Sequence, residues 1–589
     1  MPLLIETPTL ARTDGSTQIS LLEKPIGECF RRVVSASHDR IAIHSGTRHI
    51  TYGELHAQSD AFAVGLIELG IRAGDRVALS LGNGIEYAVI AYACFKLGAI
   101  LTPLNPGYLP GQVIHALNHI TARCFITSTE IKLPHKDPRL TSELLQEIAT
   151  SSDPSTLSTT VPSLQHLLLI DNSAGRVDAT TLPVTADYEA LILAHGSQRL
   201  PPQDQLGVED LANLQFTSGT TSAPKAVCLT HRNILNNAYL VGQGMELTAG
   251  DVVCCPPPLH HCFGLVLGLL TAMVHEATLL LPSPSFDARA TLQSIAEHNA
   301  TVLYGVPTMF LMELDLMSQG QVPKLPATTS FRLSALRHLR TGIIGGSPIA
   351  PSLRLRLHQH MNLSGLTNCY GLTEASPIVC MTGVLDCLDK RLTSVGQVLP
   401  HTAIRIADRN TPTRTLPRGD HQRGELQISG YAVMAGYWNA PEETARTLLV
   451  DEEEVDPQTQ QKRIWLRTGD EATMGVDGTI RITGRIKDII IRGGENIYPG
   501  EIEDALLTHP QVANVGVVGL ADATYGEVPA AFVVLRVETP PEELRAWVRQ
   551  KCPGAMVPKH VFAVDRLPLT ASGKLEKYKL REMGERWLQ

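Results

Sequence analysis

Basic residues are outnumbered in this chain, and they form no long run. The sequence has 50 Lys and Arg against 59 Asp and Glu, which gives a net charge of -9 over 589 residues. Nucleic-acid-binding domains usually carry a basic patch or stripe. We therefore expect no nucleic-acid partner, whereas a small anionic ligand can still bind in a local pocket.

Long apolar runs are also absent. The longest, Phe263–Val274, is too short to cross a bilayer, so the sequence predicts no integral membrane segment. Neither a secretory leader nor the peroxisomal Ser-Lys-Leu signal is visible. The 11 cysteines show no zinc-ligand spacing and are interpreted as free thiols. We expect an intracellular, cytoplasmic protein, with a peroxisomal or mitochondrial location left open.

What the chain does contain is an alternation of helix-like and strand-like segments. Apolar residues at helical spacing predict a helix over 52–69, with Thr51 as its N-cap. Short apolar runs predict buried strands over 76–81 and 99–103, with a helix over 86–97 between them. This rhythm predicts an α/β fold built on parallel sheets.

The character of the sequence changes to compact α+β near residue 486. We therefore predict a large N-terminal domain of layered α/β subdomains over 1–486 and a small, mobile α+β C-terminal domain over 487–589. Two polar stretches of the large domain, 408–423 and 451–463, are expected to be surface loops or hairpin tips.

The strongest local signal is the segment Phe216–Lys225, which reads Phe-Thr-Ser-Gly-Thr-Thr-Ser-Ala-Pro-Lys. Backbone amides and hydroxyls in such a loop can surround anionic oxygens, and Lys225 adds a compact positive charge. The spacing differs from the Walker pattern. Taken alone, the segment is equally compatible with a flexible polar loop.

A second cluster, Asn368–Ala375, combines an aromatic ring, a hydroxyl and a carboxylate. Tyr370 can stack on a flat heterocycle. Thr373 can donate to a phosphate, and Glu374 can bind Mg²⁺, which prefers carboxylate and phosphate oxygens. An ordinary turn would have the same composition.

Further polar residues lie towards the end of the chain. Asp470 can accept hydrogen bonds from both ribose hydroxyls, and Arg485 can add a charged donor. The glycine pair within Arg492–Asn496 suits close approach of the backbone to a ligand. Lys574 follows a Ser-Gly pair. Taken singly, these features fit a polar hairpin and a solvated surface lysine.

Taken together and in this order, the four clusters resemble the adenylate-forming (AMP-binding) superfamily over residues 28–581. Within it, the chain looks most like medium-chain fatty acyl-CoA synthetases, a similarity carried by Pro258–Gly264, Tyr304–Met309 and Ser394–Pro400. The resemblance implies a ligase that joins a carboxylic acid to AMP from ATP, with Mg²⁺, and then passes the acyl group to coenzyme A. AMP and pyrophosphate would be released.

The resemblance also assigns roles to individual residues. The phosphates of ATP would be bound by Thr217, Ser218, Gly219, Thr220, Thr221 and Lys225. The rest of the nucleotide would be bound by Gly345, Gly346, Ser347, Tyr370, Gly371, Asp470 and Arg485. The step with coenzyme A would involve the hinge residue Lys487 and the loop residues Gly493 and Gly494. The catalytic residues would be Lys574, His261, Thr373 and Glu374, with Glu374 as the metal ligand.

Lys574 would reach in from the small domain to stabilise charge in the first step. The small domain would then rotate about Lys487 so that the second step can proceed. His261 would lie beside the substrate carboxylate, with His260 as the alternative. The acyl pocket would be lined by Phe263, Tyr304, Val306, Met309 and Pro377. These side chains favour a medium-chain or longer aliphatic acid over a diacid.

The chain departs from the family pattern at two positions. Ser222 and Ala226 stand where glycine is usual, and a Cβ carries a steric cost wherever the backbone needs a positive φ. Two alternatives accompany the main hypothesis, and these departures support only the second of them. One is a fatty acyl-AMP ligase that loads a carrier protein in trans, and the other is a noncatalytic nucleotide-binding protein.

Overall fold

The structure is a computed structural model. It describes residues 9–133, 137–149, 157–201, 203, 205–217, 225–320, 336–347, 349, 351–456, 460–570 and 573–588. Four residues of the predicted phosphate loop, Ser218, Gly219, Thr220 and Thr221, lie outside the described residues, as does Ser222.

Two large, mostly parallel sheets form the body of the fold. The first has the strand order Gln397–Val398, Ile378–Met381, Gly365–Gly371, Thr341–Gly345, Val302–Gly305, Val252–Cys254, Thr278–Leu281, Ile41–Ser45 and Arg48–Thr51. The second has the order Ala186–Asp187, His166–Ile170, Cys124–Ser128, Arg76–Ser80, Ile100–Pro103, Leu211–Thr217, Lys225–Thr230 and Gly436–Tyr437. A short hairpin joins Glu130–Ile131 and Arg139–Leu140.

A third, antiparallel sheet follows these two and leads into a small fourth sheet. The third has the order Arg12–Asp14, Thr402–Ala407, Gly419–Gly430, Lys462–Met474 and Leu448–Val455, with Ile480–Arg485 also paired to Lys462–Met474. The fourth, which we call the small sheet, has the order Glu495–Ile497, Ile490–Arg492, Gly526–Leu535 and Val512–Asp522, with His560–Ala563 paired to Gly526–Leu535.

Helices cover the sheets and fill the crossovers between parallel strands. Those preceding residue 300 are Ile26–Ser37, Tyr52–Glu68, Ile85–Leu97, Pro110–His119, Ser142–Ile148, Tyr188–His195, His231–Gly244, Thr271–Val274 and Ala288–Glu297, together with the π-helix Phe263–Leu270. Those after it are Pro307–Ser318, Pro351–His360, Leu388–Thr393, Pro441–Thr447, Pro499–Leu507, Pro541–Lys551 and Lys577–Leu588. The α/β prediction is confirmed.

Local sequence signals explain the first α/β units. Thr51 caps the helix Tyr52–Glu68 and forms a capping box with Glu54, which satisfies two backbone donors at the helix start. The helix Ile85–Leu97 ends at Gly98, whose left-handed φ of 80° favours glycine. The strands at Arg76–Ser80 and Ile100–Pro103 pair in parallel, as predicted.

Two polar stretches predicted to be surface loops or hairpin tips lie at hairpins of the third sheet. The stretch 408–423 contains the connection between the antiparallel strands Thr402–Ala407 and Gly419–Gly430, and 451–463 contains the connection between Leu448–Val455 and Lys462–Met474. The strands themselves extend into both stretches, because an antiparallel sheet can face water on one side and polar residues remain compatible with strand pairing. Polarity therefore indicated the hairpins but not how far their strands extend.

The small sheet begins shortly after the 3₁₀ turn Ile486–Asp488. The third sheet ends just before this turn, at Arg485. The domain boundary predicted at residue 486 falls at the turn and stays a prediction. Among the described residues, no helix is both long enough and apolar enough to cross a membrane.

One carboxylate, Glu313, is buried in the body of the fold. Glu313, in the helix Pro307–Ser318, is 1% exposed, and neither of its oxygens has a hydrogen-bond partner among the described residues. Burial raises the pKa of Glu313 well above its ordinary value, because a charge is poorly solvated there. Burial therefore favours the neutral acid over the carboxylate.

This burial predicts a pH-dependent stability. Because the folded-state pKa is raised, the contribution of Glu313 is fully present below its unfolded pKa and is lost as the pH rises towards its folded pKa, by about 1.4 kcal/mol per pH unit. We expect Glu313→Gln, which cannot ionise, to melt higher than the unmodified protein near about pH 8 and to lose that advantage near about pH 5. Thermal unfolding at both values measures this. The exposed Glu297→Gln is the control, and a Glu313→Gln difference that does not vary with pH would contradict the assignment.

Candidate active site

The carboxyl ends of the parallel strands in the first sheet bring distant segments together. The strands Val302–Gly305, Thr341–Gly345 and Gly365–Gly371 run in parallel, so the residues that follow each of them meet at one edge. Open α/β sheets bind ligands at such edges. Gly371 itself must be glycine, because a Cβ there would lie 1.8 Å from the carbonyl oxygen of Pro377.

Tyr370, Asp470 and Arg485 form a hydrogen-bonded group beside this edge. The Tyr370 hydroxyl donates to Asp470 Oδ2 at 2.7 Å, and Arg485 Nε lies 3.1 Å from Asp470 Oδ1. Asp470 and Arg485 occupy paired positions on neighbouring strands, which fixes their separation. Burial raises the pKa of Asp470, while the charge of Arg485 and the bond from Tyr370 oppose that shift.

Glu374 and Lys225 both contact the side chain of Tyr437. The Tyr437 hydroxyl donates to Glu374 Oε1 at 2.9 Å, and Lys225 Nζ lies 5.0 Å from the centre of the Tyr437 ring. Tyr437 is therefore in contact with both predicted phosphate and metal residues. The sequence interpretation missed it, although the segment Gly436–Asn439, which reads Gly-Tyr-Trp-Asn, offered an aromatic signal next to a turn.

A cleft of about 300 Å³ opens beside Glu374. Arg467 and Glu425 pair on its wall at 3.0 Å. Its lining residues are Leu372, Glu374, Glu425, Tyr437, Arg446, Thr447, Arg467, Thr468 and Gly469. Two guanidinium groups and three hydroxyls suit this cleft to phosphate groups, and of its two carboxylates Glu374 is the one predicted to bind a metal.

Lys574, from the C-terminal segment of the chain, lies beside Gly346. Its Cε lies 3.5 Å from the position that a Cβ would take at Gly346, and Val306 Cγ1 lies 3.3 Å from that same position. Gly346 also has a φ of 89°, so a side chain here would be strained and would crowd the lysine. The loop before Lys574 is held by Thr308, whose hydroxyl donates to the Gly573 carbonyl at 3.1 Å.

Electrostatics tie Lys574 to the other site residues. Burial lowers the pKa of Lys574, and Arg485 lowers it further, whereas Cys262, Glu374 and Asp470 raise it. The ammonium group therefore lies among the residues predicted to bind the phosphates, the metal and the ribose. These residues are separated by up to 349 positions in the chain, from Lys225 to Lys574.

His261 lies near Lys574. Its Nδ1 accepts a hydrogen bond from the Phe263 backbone N–H at 3.1 Å, which leaves Nε2 as the protonated nitrogen of the neutral ring. Burial lowers the pKa of His261 well below its usual value, and the charges of Lys574 and His260 add to this. The adjacent Cys262 Sγ lies 3.7 Å from Thr373 Oγ1, so His261 and Thr373 share one neighbourhood.

The five residues predicted for the acyl pocket are all buried. Phe263 and Tyr304 have ring centroids 6.0 Å apart, and Val306 lies between Gly346 and the Lys574 loop. The Tyr304 hydroxyl has no hydrogen-bond partner within the described part of the chain.

Gly493 and Gly494 stand apart from this group, whereas Lys487 interacts electrostatically with Arg485 and Asp470. Gly493 and Gly494 form the exposed tip of the hairpin Ile490–Ile497, with φ angles of 58° and 89° that favour glycine. Lys487 lies in the 3₁₀ turn Ile486–Asp488 and is exposed. Gly345 and Ser347 flank Gly346 at the strand end, close to Lys574.

The position of Ala226 excludes the steric cost that was considered for a Cβ at this site. Ala226 lies within the strand Lys225–Thr230, paired with Phe216, where the backbone is extended and a Cβ carries no steric cost. The predicted departure from the glycine pattern therefore implies no strain at this residue.

Two segments of the chain match models of AMP-binding enzymes. Residues 30–438 match the AMP-binding enzyme family, and residues 501–574 match the AMP-binding enzyme C-terminal domain. The chain belongs to the AMP-binding enzyme family. The matched ranges hold the Tyr370–Glu374 cluster and Lys574, so the resemblance based on these motifs is confirmed.

Curated relatives and a solved structure agree with this assignment. The chain is 40% identical over 593 residues to acyl-CoA ligase SID4 of Ajellomyces capsulatus, covering 98% of this chain and 94% of the relative. It is 34% identical to the mitochondrial medium-chain acyl-CoA ligase ACSF2 of Mus musculus, covering 98% and 91%. The ATP-bound RpMatB-BxBclM chimera B3 aligns with a TM-score of 0.77 and 25% identity, covering 96% of this chain and 100% of that one. The prediction of an AMP-forming ligase is confirmed.

Proposed function

We propose that this family member activates a medium-chain or longer aliphatic carboxylic acid as an acyl-adenylate and transfers the acyl group to coenzyme A. The observation that carries the proposal is the approach of Lys574 to Tyr370, Asp470, Arg485 and Glu374 in one site. A site that only held a nucleotide would need no partly buried lysine brought in from the C-terminal segment of the chain.

In the first step the carboxylate attacks the α-phosphorus of ATP and pyrophosphate leaves. Asp470 accepts hydrogen bonds from the ribose, and Tyr370 covers the adenine. Lys225 and the guanidinium groups of the neighbouring cleft hold the departing phosphates. Lys574 neutralises the negative charge that gathers as carboxylate and phosphate meet, which is where a fixed cation contributes most.

The residues present also fit Mg²⁺ bound with the nucleotide. Within the described ranges, no group of three or more His, Cys, Asp or Glu side chains could hold a metal by itself. Mg²⁺ commonly binds through one or two carboxylates and the phosphates of its substrate. Glu374 supplies such a carboxylate at the phosphate cleft, oriented by Tyr437. When bound, the ion would neutralise phosphate charge.

In the second step the thiol of coenzyme A attacks the acyl carbon, and AMP leaves. Lys574 occupies the site in the orientation described above, whereas the hairpin tip at Gly493 and Gly494 faces solvent. Rotation of the small domain about Lys487 would exchange these two features. The boundary near 486 belongs to this proposal, as do the roles of His261 and Thr373.

The acyl preference rests on the apolar set around Phe263, Tyr304 and Met309. These buried side chains offer no cation to a second carboxylate, which favours an aliphatic acid over a diacid. One relative at 34% identity bears the name medium-chain acyl-CoA ligase, in agreement with this preference. An intracellular location is part of the proposal, supported by eleven free cysteine thiols, nine of them buried.

The test is a product assay on the purified protein. We expect pyrophosphate release from ATP and Mg²⁺ that depends on an added aliphatic acid, and acyl-CoA that appears only when coenzyme A is present. A panel of acids graded in chain length, with a diacid and an aromatic acid as matched controls, measures the preference. Acyl-adenylate that accumulates without transfer to coenzyme A would favour the carrier-protein alternative. No acid-dependent release with any acid would favour the noncatalytic one.

A further inference from the structure

A group of charged and aromatic side chains joins the third sheet to the small-domain segment. Arg423, on the strand Gly419–Gly430, stacks its guanidinium over the ring of Tyr498 at 4.1 Å from the ring centre. The same guanidinium lies 3.5 Å from the carboxylate of Glu501, at the start of the helix Pro499–Leu507. Tyr498 and Glu501 follow the turn Ile486–Asp488, so both contacts cross the predicted boundary.

Glu471 is the buried carboxylate of this group. Its side chain is 1% exposed, and it accepts a hydrogen bond from Thr483 at 2.6 Å and one from the Tyr498 hydroxyl at 3.4 Å. Arg409 pairs with it directly, and Arg423 lies 3.9 Å away. A buried carboxylate needs such partners because an unpaired charge is costly away from water.

These contacts are formed in one orientation of the small domain and stabilise it. In that orientation Lys574 lies beside Gly346, and Thr308 holds Gly573 at the far side of the same interface. Arg536 and Asp315 add a more exposed pair at 3.2 Å. Any rotation that withdraws Lys574 must separate Tyr498 and Glu501 from Arg423, because these two move with the small domain and Arg423 does not.

We propose that Arg423, held by Glu471, is a positioning residue that latches the small domain in the orientation that carries Lys574 into the site. We call Arg423, Glu471, Tyr498 and Glu501 the latch. The inference rests on the proposed two-step function, and it names which contacts balance the two orientations. A guanidinium suits this role, because it stacks on an aromatic face while pairing with two carboxylates, which a lysine cannot do equally well.

The test separates the two half-reactions. The first is measured as acid-dependent exchange of labelled pyrophosphate into ATP, and the second as acyl-CoA formation from supplied acyl-adenylate and coenzyme A. We expect Arg423→Ala to lower the ratio of the first rate to the second by roughly fivefold to tenfold, the effect of losing one partly buried cation–π contact with its ion pair. Arg423→Lys is expected to fall between Arg423→Ala and the unmodified protein.

The matched control is Arg481→Ala. Arg481 lies in the same sheet with 37% side-chain exposure against 35% for Arg423, and it pairs with Asp420 on the large-domain side. Its removal is expected to leave the ratio unchanged. Equal losses in both half-reactions of Arg423→Ala would indicate a general structural defect and would overturn the latch.

A measurement that needs no turnover completes the test. Trypsin cleaves after Arg485 and Lys487 at the turn between the sheets, and we expect cleavage there to be several-fold faster in Arg423→Ala than in Arg481→Ala. Unchanged cleavage together with an unchanged ratio overturns the latch. If the unmodified protein shows no acid-dependent exchange, the proposed function fails, and the cleavage rates alone then decide whether the latch exists.

Discussion

Replacing Lys574 with alanine is expected to reduce adenylate formation about 10²- to 10³-fold, while thioester formation from supplied acyl-adenylate is largely retained. The physical reason is that the ammonium group lies in the site, close to Gly346, where the carboxylate and the α-phosphate must approach each other. A fixed cation stabilises the carboxylate and the phosphate most when these two anions are close together. Pyrophosphate exchange and acyl-CoA formation from acyl-adenylate measure the two steps separately.

A nearby lysine provides the control for this prediction. Lys579, on the helix Lys577–Leu588, pairs with Glu576 at 2.6 Å on the exposed surface. Lys579→Ala is expected to leave both steps unchanged. Equal loss of both half-reactions in Lys574→Ala would contradict a role confined to the first step.

The pH dependence of the first step gives a second measure of the same residue. Burial lowers the pKa of Lys574 from its ordinary value, so the cation is lost at a lower pH than in an exposed lysine. The rate of adenylate formation is therefore expected to fall on the alkaline side, and the fall is expected to disappear in Lys574→Ala. A fall of the same size in that variant would assign it to another group.

Replacing Asp470 with alanine is expected to reduce kcat/KM for ATP about 100-fold, mostly through a higher KM. Asp470 is 6% exposed and is held by Tyr370 and Arg485, so its oxygens are fixed where a ribose can donate to them. The loss combines the ribose hydrogen bonds with an Arg485 charge left without its partner. Steady-state kinetics at varied ATP, supported by calorimetric titration of AMP, measure the effect.

Asp420 offers a comparable ion pair away from the site. It pairs with Arg481 at 2.5 Å in the same sheet. Asp420→Ala is expected to change neither the KM for ATP nor the affinity for AMP. If Asp470→Ala lowered kcat with no change in either quantity, Asp470 would act on the chemical step, and its assignment to ribose binding would be wrong.

The sequence predicted the fold best where signals were local. The cap at Thr51 and the left-handed end at Gly98 are set by neighbours in the chain, and both helices end close to where the residues indicated. The hairpin tips within 408–423 and 451–463 were predicted, but the extent of their strands was not, because the side chains there are polar. Strand pairing of this kind gives no local signal in the sequence.

The same division applies to the site. Motif order was enough to name Tyr370, Asp470, Arg485 and Lys574, because each lies in a short segment of unusual composition. Tyr437 was missed, since its importance comes only from its place between Lys225 and Glu374. The latch was likewise invisible, because Glu471 and Arg423 become neighbours only through antiparallel pairing and the position of the small sheet.

The hydrogen bond between Tyr370 and Asp470 has an energetic consequence for the proposed nucleotide binding. Both side chains are already fixed by each other, by burial and by the paired strands around them, so their rotational freedom was lost when the chain folded. Ordering a free side chain on binding costs roughly 0.5–1.5 kcal/mol. In the proposed role of Asp470 as ribose acceptor, this ordering cost is not paid again on binding, so more of the free energy of each new hydrogen bond contributes to affinity.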